Sequence, residues 1–441
     1  MEILLTITYS VLFLFIIRKL SFFRLDELSV SSISCIFIVK IIFGCVLWLV
    51  YTYYYTDRTT ADIYKYFDDS KIMFDALKSK PVHYFKMLTA IGNNTPEFST
   101  YYNEMHFWSR KIDSNIYNDS HTIIRFNAFV RLFSMGYYGV HIVVMCFLSL
   151  VGLTAIYKTF IPFLKDKKIE LMIAVFLFPS VLFWSSGVLK EGLIFFALGL
   201  LVYHSTRLFS IKSLLTCIVM AVLLAFSKFY VWIAIVPSLF FFIWLNYTSR
   251  KYLFLKFAVV ILGTCLVGLN IDKFTSFQNP LVTLSQKQIE FNQLAMGQLS
   301  DANENPIPAA NSRIEIPQLE PTFYSFLKNS PQAFINVFCR PFLWELKNKM
   351  MIVAGIESNI ILLLLITMLF FLKPLKDVQW KYVLFCSSFV FIQFLIIGET
   401  TSIIGAMVRY KSIALPFLFI TVLFLVDKQK VLNRFTFLKR K

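Results

Sequence analysis

The stretch FPSVLFWSSGVLKEGLIFFALGLLVY, residues 178–203, is apolar almost throughout and yet contains the adjacent charged residues Lys190 and Glu191. Drawn as one helix, residues 171–203 would be about 50 Å long, whereas the hydrocarbon core of a bilayer is about 30 Å thick. The stretch therefore predicts two spans. Pro179 and the Ser-Ser-Gly at 185–187 mark the break, and Lys190 and Glu191 then begin the returning helix at the outer face of the membrane.

The composition extends this interpretation to the whole chain. Of 441 residues, 57% are hydrophobic and 16% are charged, whereas charged residues usually make up about a quarter of a soluble domain. We expect an all-α integral membrane protein that forms a single polytopic domain over residues 1–441. The net charge of +17 does not indicate a nucleic-acid partner, because the cations lie in the gaps between the apolar runs.

The apolar runs predict about 11 transmembrane helices. They lie near residues 3–17, 31–54, 137–157, 170–186, 190–206, 211–227, 229–246, 253–270, 352–373, 381–398 and 413–426. The basic loops are RKLSFFR, KDKK, RLFSIK, SRKYLFLK, KPLKDVQWK and the tail DKQKVLNRFTFLKRK. All of them fall on the cytoplasmic side if the N-terminus is outside and the C-terminus is inside, and this is the orientation that we predict.

Two long segments then face the outside. Residues 55–136 form the first large extracytoplasmic loop, in which RFNAFVRLFSMGYYGV (residues 125–140) predicts an interfacial helix leading into the next span. Residues 271–351 form the second. Here LVTLSQKQIEFNQLAMGQL (281–299) predicts a polar helix, and SDANENPIPAANSRIEIPQLEP (300–321) predicts a mobile loop.

Carboxylates and cations from five separate places fall on this predicted outer side. They are Asp57, Asp62, Asp68 and Asp69 after the second span, Lys190 and Glu191, Lys228, Arg340 and Glu345, and Glu399, Arg409 and Lys411. A cleft that collected them would offer bases for a hydroxyl proton and cations for a phosphate.

Each of these residues also has a structural interpretation. Lys228 and Lys411 are cations at helix ends, which usually extend toward the headgroups. The Lys190 and Glu191 pair could simply begin a helix, and Arg340 with Glu345 could be an ion pair at the membrane edge. The adjacent Asp68 and Asp69 side chains diverge on a helix, which disfavours a shared metal ion, although a divalent cation stays compatible with the sequence.

Four short segments resemble elements of known enzymes. They are ADIYKYFDDSK (61–71), PSVLFWSSGVLKE (179–191), RPFLWE (340–345) and VRYKSIALPF (408–417). In layout they resemble the C-type multi-pass membrane glycosyltransferases and the O-antigen-polymerase-like proteins of bacterial surface-polysaccharide pathways. The chain departs from that pattern because its first loop has no clean Asp-Glu or DxD pair, which leaves the base and any metal dependence open.

The resemblance implies an enzyme of the bacterial inner membrane. It would transfer sugar from a polyprenyl phosphate or pyrophosphate carrier to a hydroxyl of a glycan or lipid acceptor on the extracytoplasmic side. Asp62 is then the favoured base, followed by Asp57 and by Asp68 or Asp69. The lipid phosphate would be held by Lys190, Arg340 and Arg409, with Glu191 orienting Lys190 or shaping the acceptor site. Supporting roles would fall to Lys228, Glu345 and Glu399.

Two other classes stay open. One is a flippase or transporter for a lipid-linked glycan, and the other is a non-catalytic membrane scaffold. Coupled transporters usually carry ionisable residues near the midplane and internal repeats. Here Lys40 and His141 are nearly the only intramembrane candidates, and no repeat is visible, so we favour the enzyme.

Overall fold

The computed structural model describes residues 1–55, 58, 61–109, 117–275, 278–298 and 308–434. This part of the chain is all-α, with isolated bridges but no strand. Five of its helices are long and apolar enough to cross a membrane, and a pair bent by 55° gives a sixth. The five are Val30–Tyr54, Tyr138–Phe163, Phe229–Tyr247, Lys349–Leu369 and Trp380–Thr400, and the bent pair is Ile404–Lys411 with Leu415–Leu425. The predicted helical membrane architecture is confirmed at this level, and the count of eleven spans stays a prediction.

The helices that begin before residue 230 include several short helices that lie between the long apolar ones. They are Glu2–Lys19, Val30–Leu49, Asp62–Ser79, Pro81–Thr89, Ser99–Glu104, Ser120–Ser134, Tyr138–Phe160, Lys168–Met172, Pro179–Trp184, Lys190–Ser205, Ile211–Ser227 and Phe229–Tyr247. The later helices are Leu253–Leu269, Pro280–Ala295, Phe323–Cys339, Lys349–Leu369, Trp380–Thr400, Ile404–Lys411, Leu415–Leu425 and Lys428–Arg434.

Contacts divide the chain into two compact units. The first includes Met1–Lys158 and Ser180–Phe229, and the second includes Thr159–Pro179, Tyr230–Gln298 and Pro308–Lys441. The single domain expected over residues 1–441 stays a prediction.

The break predicted in the long apolar stretch is confirmed. A π-helical turn, Ile173–Leu177, ends at Phe178, and Pro179 begins the short helix Pro179–Trp184. The next helix starts only at Lys190. Proline suits the first position of a helix, because it has no amide N–H that would need a partner there. Its ring also prevents the helical turn before it from continuing through residue 179.

The connection between these two helices is buried in the first unit and runs along the helix Val30–Leu49. Lys40 Nζ lies 2.5 Å from Ser185 Oγ. A Cβ on Gly44 would lie 2.7 Å from the carbonyl oxygen of Ser186, so only glycine permits this approach. A Cβ on Gly187 would touch Leu47, one turn further along. The connection thus advances toward the end of the helix from which residues 55–136 follow.

The segment 55–136 contributes amphipathic helices to the first unit. Asp62–Ser79 and Ser120–Ser134 are held together by Arg131, whose guanidinium donates to Ser70 Oγ (2.8 Å) and to the carbonyl oxygen of Phe67 (2.7 Å). Ser120–Ser134 ends at Met135 and Gly136, which have positive φ values of 52° and 77°. The next helix begins at Tyr138. A helix thus precedes this span, but it covers Ser120–Ser134 instead of the predicted residues 125–140, and its interfacial position stays a prediction.

Two glycines let the helices Tyr138–Phe160 and Lys190–Ser205 approach closely in the first unit. A Cβ on Gly152 would lie 2.0 Å from the carbonyl oxygen of Phe195, and a Cβ on Gly199 would lie 2.0 Å from that of Gly152. Small residues at such crossings are what allow apolar helices to pack in a membrane, where burial of apolar surface gives no driving force.

In the second unit, residues 308–322 form an extended strap that is fixed at several points. Ile314 N donates to Ser402 O (2.9 Å), Ile404 N donates to Ser312 O (3.0 Å), and Leu319 N donates to Gln288 Oε1 (2.8 Å). The described part of the loop expected over 300–321 has no helix from residue 308 onward, backbone and side-chain hydrogen bonds hold it, and its mobility stays a prediction. Residues 300–307 lie outside the described part of the chain.

We expect Gly152→Ala to destabilise the protein by about 1–3 kcal/mol, the usual cost of forcing an extra methyl group into a filled contact. Gly263→Ala is the matched control, because nothing lies within 4 Å of a Cβ at this helical glycine and alanine favours the helix by about 1 kcal/mol over glycine. Thermal or denaturant unfolding of the purified protein measures the difference. Equal stability of the two variants would mean that the helices do not cross at Gly152.

Candidate functional site

Lys190 is the centre of a buried charged group in the first unit. It is the first residue of the helix Lys190–Ser205, and its residue exposure is only 6%. Its ammonium lies 3.0 Å from Asp119 Oδ1, donates to Ser120 Oγ at 3.2 Å and lies 5.1 Å from the ring centre of Tyr66. The lysine is thus held between two of the helices from segment 55–136 rather than extended to solvent.

Glu191 and Lys228 form a second buried pair beside it. Glu191 is fully buried, Lys228 is 4% exposed, and Lys228 Nζ lies 3.7 Å from Glu191 Oε1. This separation permits ion pairing and exceeds the usual length of a hydrogen bond. The expectation that Lys228 extends toward the headgroups is wrong, because its ammonium lies opposite a buried carboxylate.

The two pairs place two cations and two carboxylates close together, and all of them except the half-buried Asp119 are buried. Burial of an isolated charge is costly, and removal of one partner from a buried pair usually costs more than the pair contributes. An incoming anion can replace the carboxylate that is paired with one of these lysines, and the lysine ammonium then still has an anionic partner. The arrangement can therefore bind a phosphate by exchange of partners, which is the chemistry expected for Lys190.

The first-loop carboxylates occupy different positions on the helix Asp62–Ser79. Asp62 begins the helix and is half-buried. Tyr66, which lies beneath Lys190, follows four residues later, so Asp62 and Tyr66 share one face. Asp68 is half-buried and pairs with Arg58 at 2.7 Å. Asp57 lies outside the described residues.

Asp69 is fully buried and holds a loop in place. Its two carboxylate oxygens accept from the backbone amides of His106 and Phe107, each at 2.8 Å. Burial raises the pKa of Asp69 to about 6, although the two amide donors act in the opposite direction. At pH 7 the group is still mainly ionised and accepts both bonds. These contacts give Asp69 the structural role of holding the backbone at His106 and Phe107. Its catalytic role stays a prediction.

Arg340 and Glu345 pair in the second unit, as one interpretation of RPFLWE expected. Arg340 Nη1 lies 2.9 Å from Glu345 Oε1, and Glu345 Oε2 accepts from the backbone amide of Phe342 at 2.8 Å. Ser358 Oγ lies 3.1 Å from the carbonyl oxygen of Arg340 and accepts from Lys411 Nζ at 2.9 Å. Lys411 is 2% exposed, so the expectation that it extends toward the headgroups is also wrong.

Arg409 and Glu399 are buried in the second unit as well. Arg409, on the short helix Ile404–Lys411, is 7% exposed. Glu399 lies at the end of the helix Trp380–Thr400 and is 3% exposed. The sequence expected these residues on an outer surface, and the structure instead places both side chains inside a packed unit.

The described residues contain no group of three or more His, Cys, Asp or Glu side chains that could hold a metal ion. Asp68 and Asp69 have separate partners, an arginine for one and two backbone amides for the other. This agrees with the divergence expected for adjacent residues on a helix. A requirement for a divalent cation stays an open prediction.

Asp119, Ser120 and Tyr66 are the partners of Lys190 that sequence analysis did not select. Asp119 and Ser120 belong to Asn118-Asp119-Ser120, which matches the Asn-x-Ser/Thr pattern of glycosylation acceptors. Asn118 is engaged otherwise, because its Nδ2 donates to the carbonyl oxygens of Phe107 (2.7 Å) and Trp108 (3.1 Å). Some 70 residues separate Lys190 from Asp119 and Ser120, so no local pattern could have connected them.

We expect Asp69→Ala to destabilise the protein by about 1–3 kcal/mol, because it leaves two backbone amides without their acceptor. Asp68→Ala is the matched control on the same helix. It removes an exposed ion pair, which is worth about 0–1 kcal/mol. Unfolding of both variants by denaturant measures the difference, and an equal loss would show that the loop does not depend on Asp69.

No family model, curated protein or solved structure matches this chain. The roles of its residues are therefore inferred from their own geometry and charge.

Proposed function

We propose that the protein is a glycosyltransferase or polysaccharide polymerase of the bacterial inner membrane. It transfers sugar from a polyprenyl phosphate or pyrophosphate carrier to a hydroxyl of a glycan or lipid acceptor on the extracytoplasmic side. Its N-terminus is outside and its C-terminus is cytoplasmic. The observation that carries the proposal is the buried ammonium of Lys190, which begins a helix and is held by Asp119 and Ser120.

The lipid phosphate binds to Lys190 in this proposal. Phosphates are favoured at helix N-termini, where backbone amides and the helix dipole add to the charge of a lysine. Lys190 is already paired with Asp119. An incoming phosphate therefore takes the place of the Asp119 carboxylate, and the Lys190 ammonium has an anionic partner before and after binding. Lys228, held by Glu191, keeps the region neutral. Arg340 and Arg409 of the second unit are further candidates for contacts to phosphate.

The chemical step needs one base. The acceptor hydroxyl oxygen attacks the anomeric carbon, the bond from that carbon to the phosphate oxygen breaks, and the lipid phosphate leaves with the electron pair. The hydroxyl proton passes to a carboxylate, for which we favour Asp62, with Asp57 next. Support for Asp62 comes from its position on the same helix face as Tyr66, whose ring lies beneath the Lys190 ammonium.

We expect Lys190→Gln to weaken binding of polyprenyl monophosphate about 10- to 100-fold, because a hydrogen bond to a charged group is worth about 1.5–3 kcal/mol. Native mass spectrometry of the protein in nanodiscs measures the bound lipid. Lys349→Gln is the matched control, since Lys349 also begins a helix but is exposed.

The double variant Lys190→Gln with Asp119→Asn separates binding from folding, because it leaves no unpaired charge. If this variant is stable and still binds polyprenyl monophosphate like the wild type, Lys190 is not the phosphate site.

We expect Asp62→Asn to slow sugar transfer by about 10²- to 10⁴-fold, the usual contribution of a general base, while polyprenyl phosphate stays bound. The assay follows labelled sugar from lipid-linked saccharides extracted from bacterial membranes. Asp75→Asn is the control, because Asp75 lies on the same helix, is exposed and pairs with Lys71 at 2.6 Å.

The alternatives give other outcomes in the same assays. A flippase binds the lipid and moves it across the bilayer, and neither the wild type nor a variant transfers sugar. A scaffold neither binds the lipid nor transfers sugar, and either result would overturn the proposed enzyme.

A further inference from the structure

Glu399 differs from the other site carboxylates because nothing in the described chain binds its side chain. It is 3% exposed, and both carboxylate oxygens lack a hydrogen-bond partner among the described residues. By contrast, Glu345 is paired with Arg340 and Glu191 faces Lys228. Buried carboxylates in proteins are normally paired, because an ionised carboxylate without a partner is strongly disfavoured away from water.

Gln288, which contacts the backbone of Glu399 although it lies 111 residues away in the chain, is occupied with main-chain groups. Gln288 Nε2 donates to the backbone carbonyl oxygens of Glu399 (2.7 Å) and Pro317 (2.8 Å), and Gln288 Oε1 accepts from Leu319 N. A Cβ on Gly398 would lie 2.2 Å from the carbonyl oxygen of Ala333. The helix end is therefore packed tightly, and Gln288 connects it to the strap of residues 308–322.

Among the residues that the structure describes, no charged side chain pairs with the Glu399 carboxylate. The other ionisable side chains on the elements packed against the helix end are Lys287, Glu290, Arg313, Glu315, Glu320, Tyr324, Lys328, Cys339, Arg409, Tyr410 and Lys411. Lys287 pairs with Glu290 at 2.6 Å, and Lys411 donates to Ser358 and Val337. None of the described residues forms a hydrogen bond or an ion pair with the Glu399 carboxylate.

The position of Glu399 at the end of its helix also disfavours the ionised carboxylate. Glu399 is the penultimate residue of Trp380–Thr400, where the last carbonyl groups give the helix a negative end. A carboxylate there is repelled by the helix dipole, whereas a neutral carboxyl group is not. Burial, the lack of a donor and the helix end thus all favour the protonated form.

We propose that Glu399 is a proton-binding site of the second unit, and that its proton keeps the strap of residues 308–322 closed over the helix end. With the proton bound, the buried side chain is neutral and the strap contacts are retained. Loss of the proton places a charge in a site that offers no compensation, so the strap has to open and admit water. Proton binding at Glu399 goes beyond the proposed sugar transfer, because it makes the position of the strap depend on pH.

Infrared difference spectroscopy tests the bound proton directly. At neutral pH we expect the carbonyl band of a protonated carboxylic acid in the wild type, its loss in Glu399→Gln, and its retention in Glu345→Gln. Glutamine is a neutral isostere of the protonated acid, so Glu399→Gln keeps the packing. A wild-type spectrum without this band at neutral pH, or a band that Glu399→Gln leaves unchanged, would overturn the proposal.

Hydrogen exchange tests the connection to the strap. After correction for the intrinsic rate, we expect the amides of Ile314 and Leu319 to exchange faster as the pH rises in the wild type, and to show no such pH dependence in Glu399→Gln. The sign follows from linkage: a group that binds its proton more tightly in the closed form stabilises that form at low pH and loses this effect as the pH rises. The same pH dependence in both proteins would show that Glu399 does not control the strap.

Discussion

The first unit depends on a polar connection that is buried between two apolar helices. Residues 185–189 leave the helical ladder inside the unit, so their polar groups need partners that neither water nor lipid can supply. Lys40 reaches Ser185, and Cys146 Sγ donates to the carbonyl oxygen of Ser186 at 3.4 Å. Gly44 permits the backbone of the connection to approach the helix Val30–Leu49. An intramembrane lysine usually suggests a transport pathway, and Lys40 instead has a structural partner here.

This connection also fixes where the charged residues lie. Because Ser185, Ser186 and Gly187 pass Lys40, Gly44 and Leu47 in turn, Lys190 emerges beside the helices of segment 55–136. There Asp119 and Ser120 hold its ammonium, and Lys228 faces Glu191. A single break in an apolar stretch thus determines the surroundings of the residues that we propose for phosphate binding. The paired charges are stable at rest and can still exchange partners with an incoming anion.

Glu399 differs from the other buried charged groups of the protein. In the first unit, Lys190 and Lys228 are matched with carboxylates, and Asp69 is matched with two backbone amides. In the second unit, Arg340 pairs with Glu345 and Lys411 donates to Ser358, while the Glu399 carboxylate has no partner among the described residues. A fully paired buried group rigidifies its surroundings, and an unpaired one makes them sensitive to its protonation state. This difference is the basis on which we propose anion binding at Lys190 and proton binding at Glu399.

The sequence by itself determined the helical membrane class, the break between residues 178 and 190 and the helix that precedes Tyr138, because hydropathy, Pro179 and the Ser-Ser-Gly act locally. It also selected Lys190, Glu191, Lys228, Arg340, Glu345, Glu399 and Arg409 as candidates. Only the tertiary structure decided their partners, since Asp119 and Ser120 lie some 70 residues from Lys190 in the chain. It likewise decided that Lys228 and Lys411 are buried, that Asp69 holds a loop and that Gln288 connects Glu399 to a strap, because burial depends on which distant segments pack together.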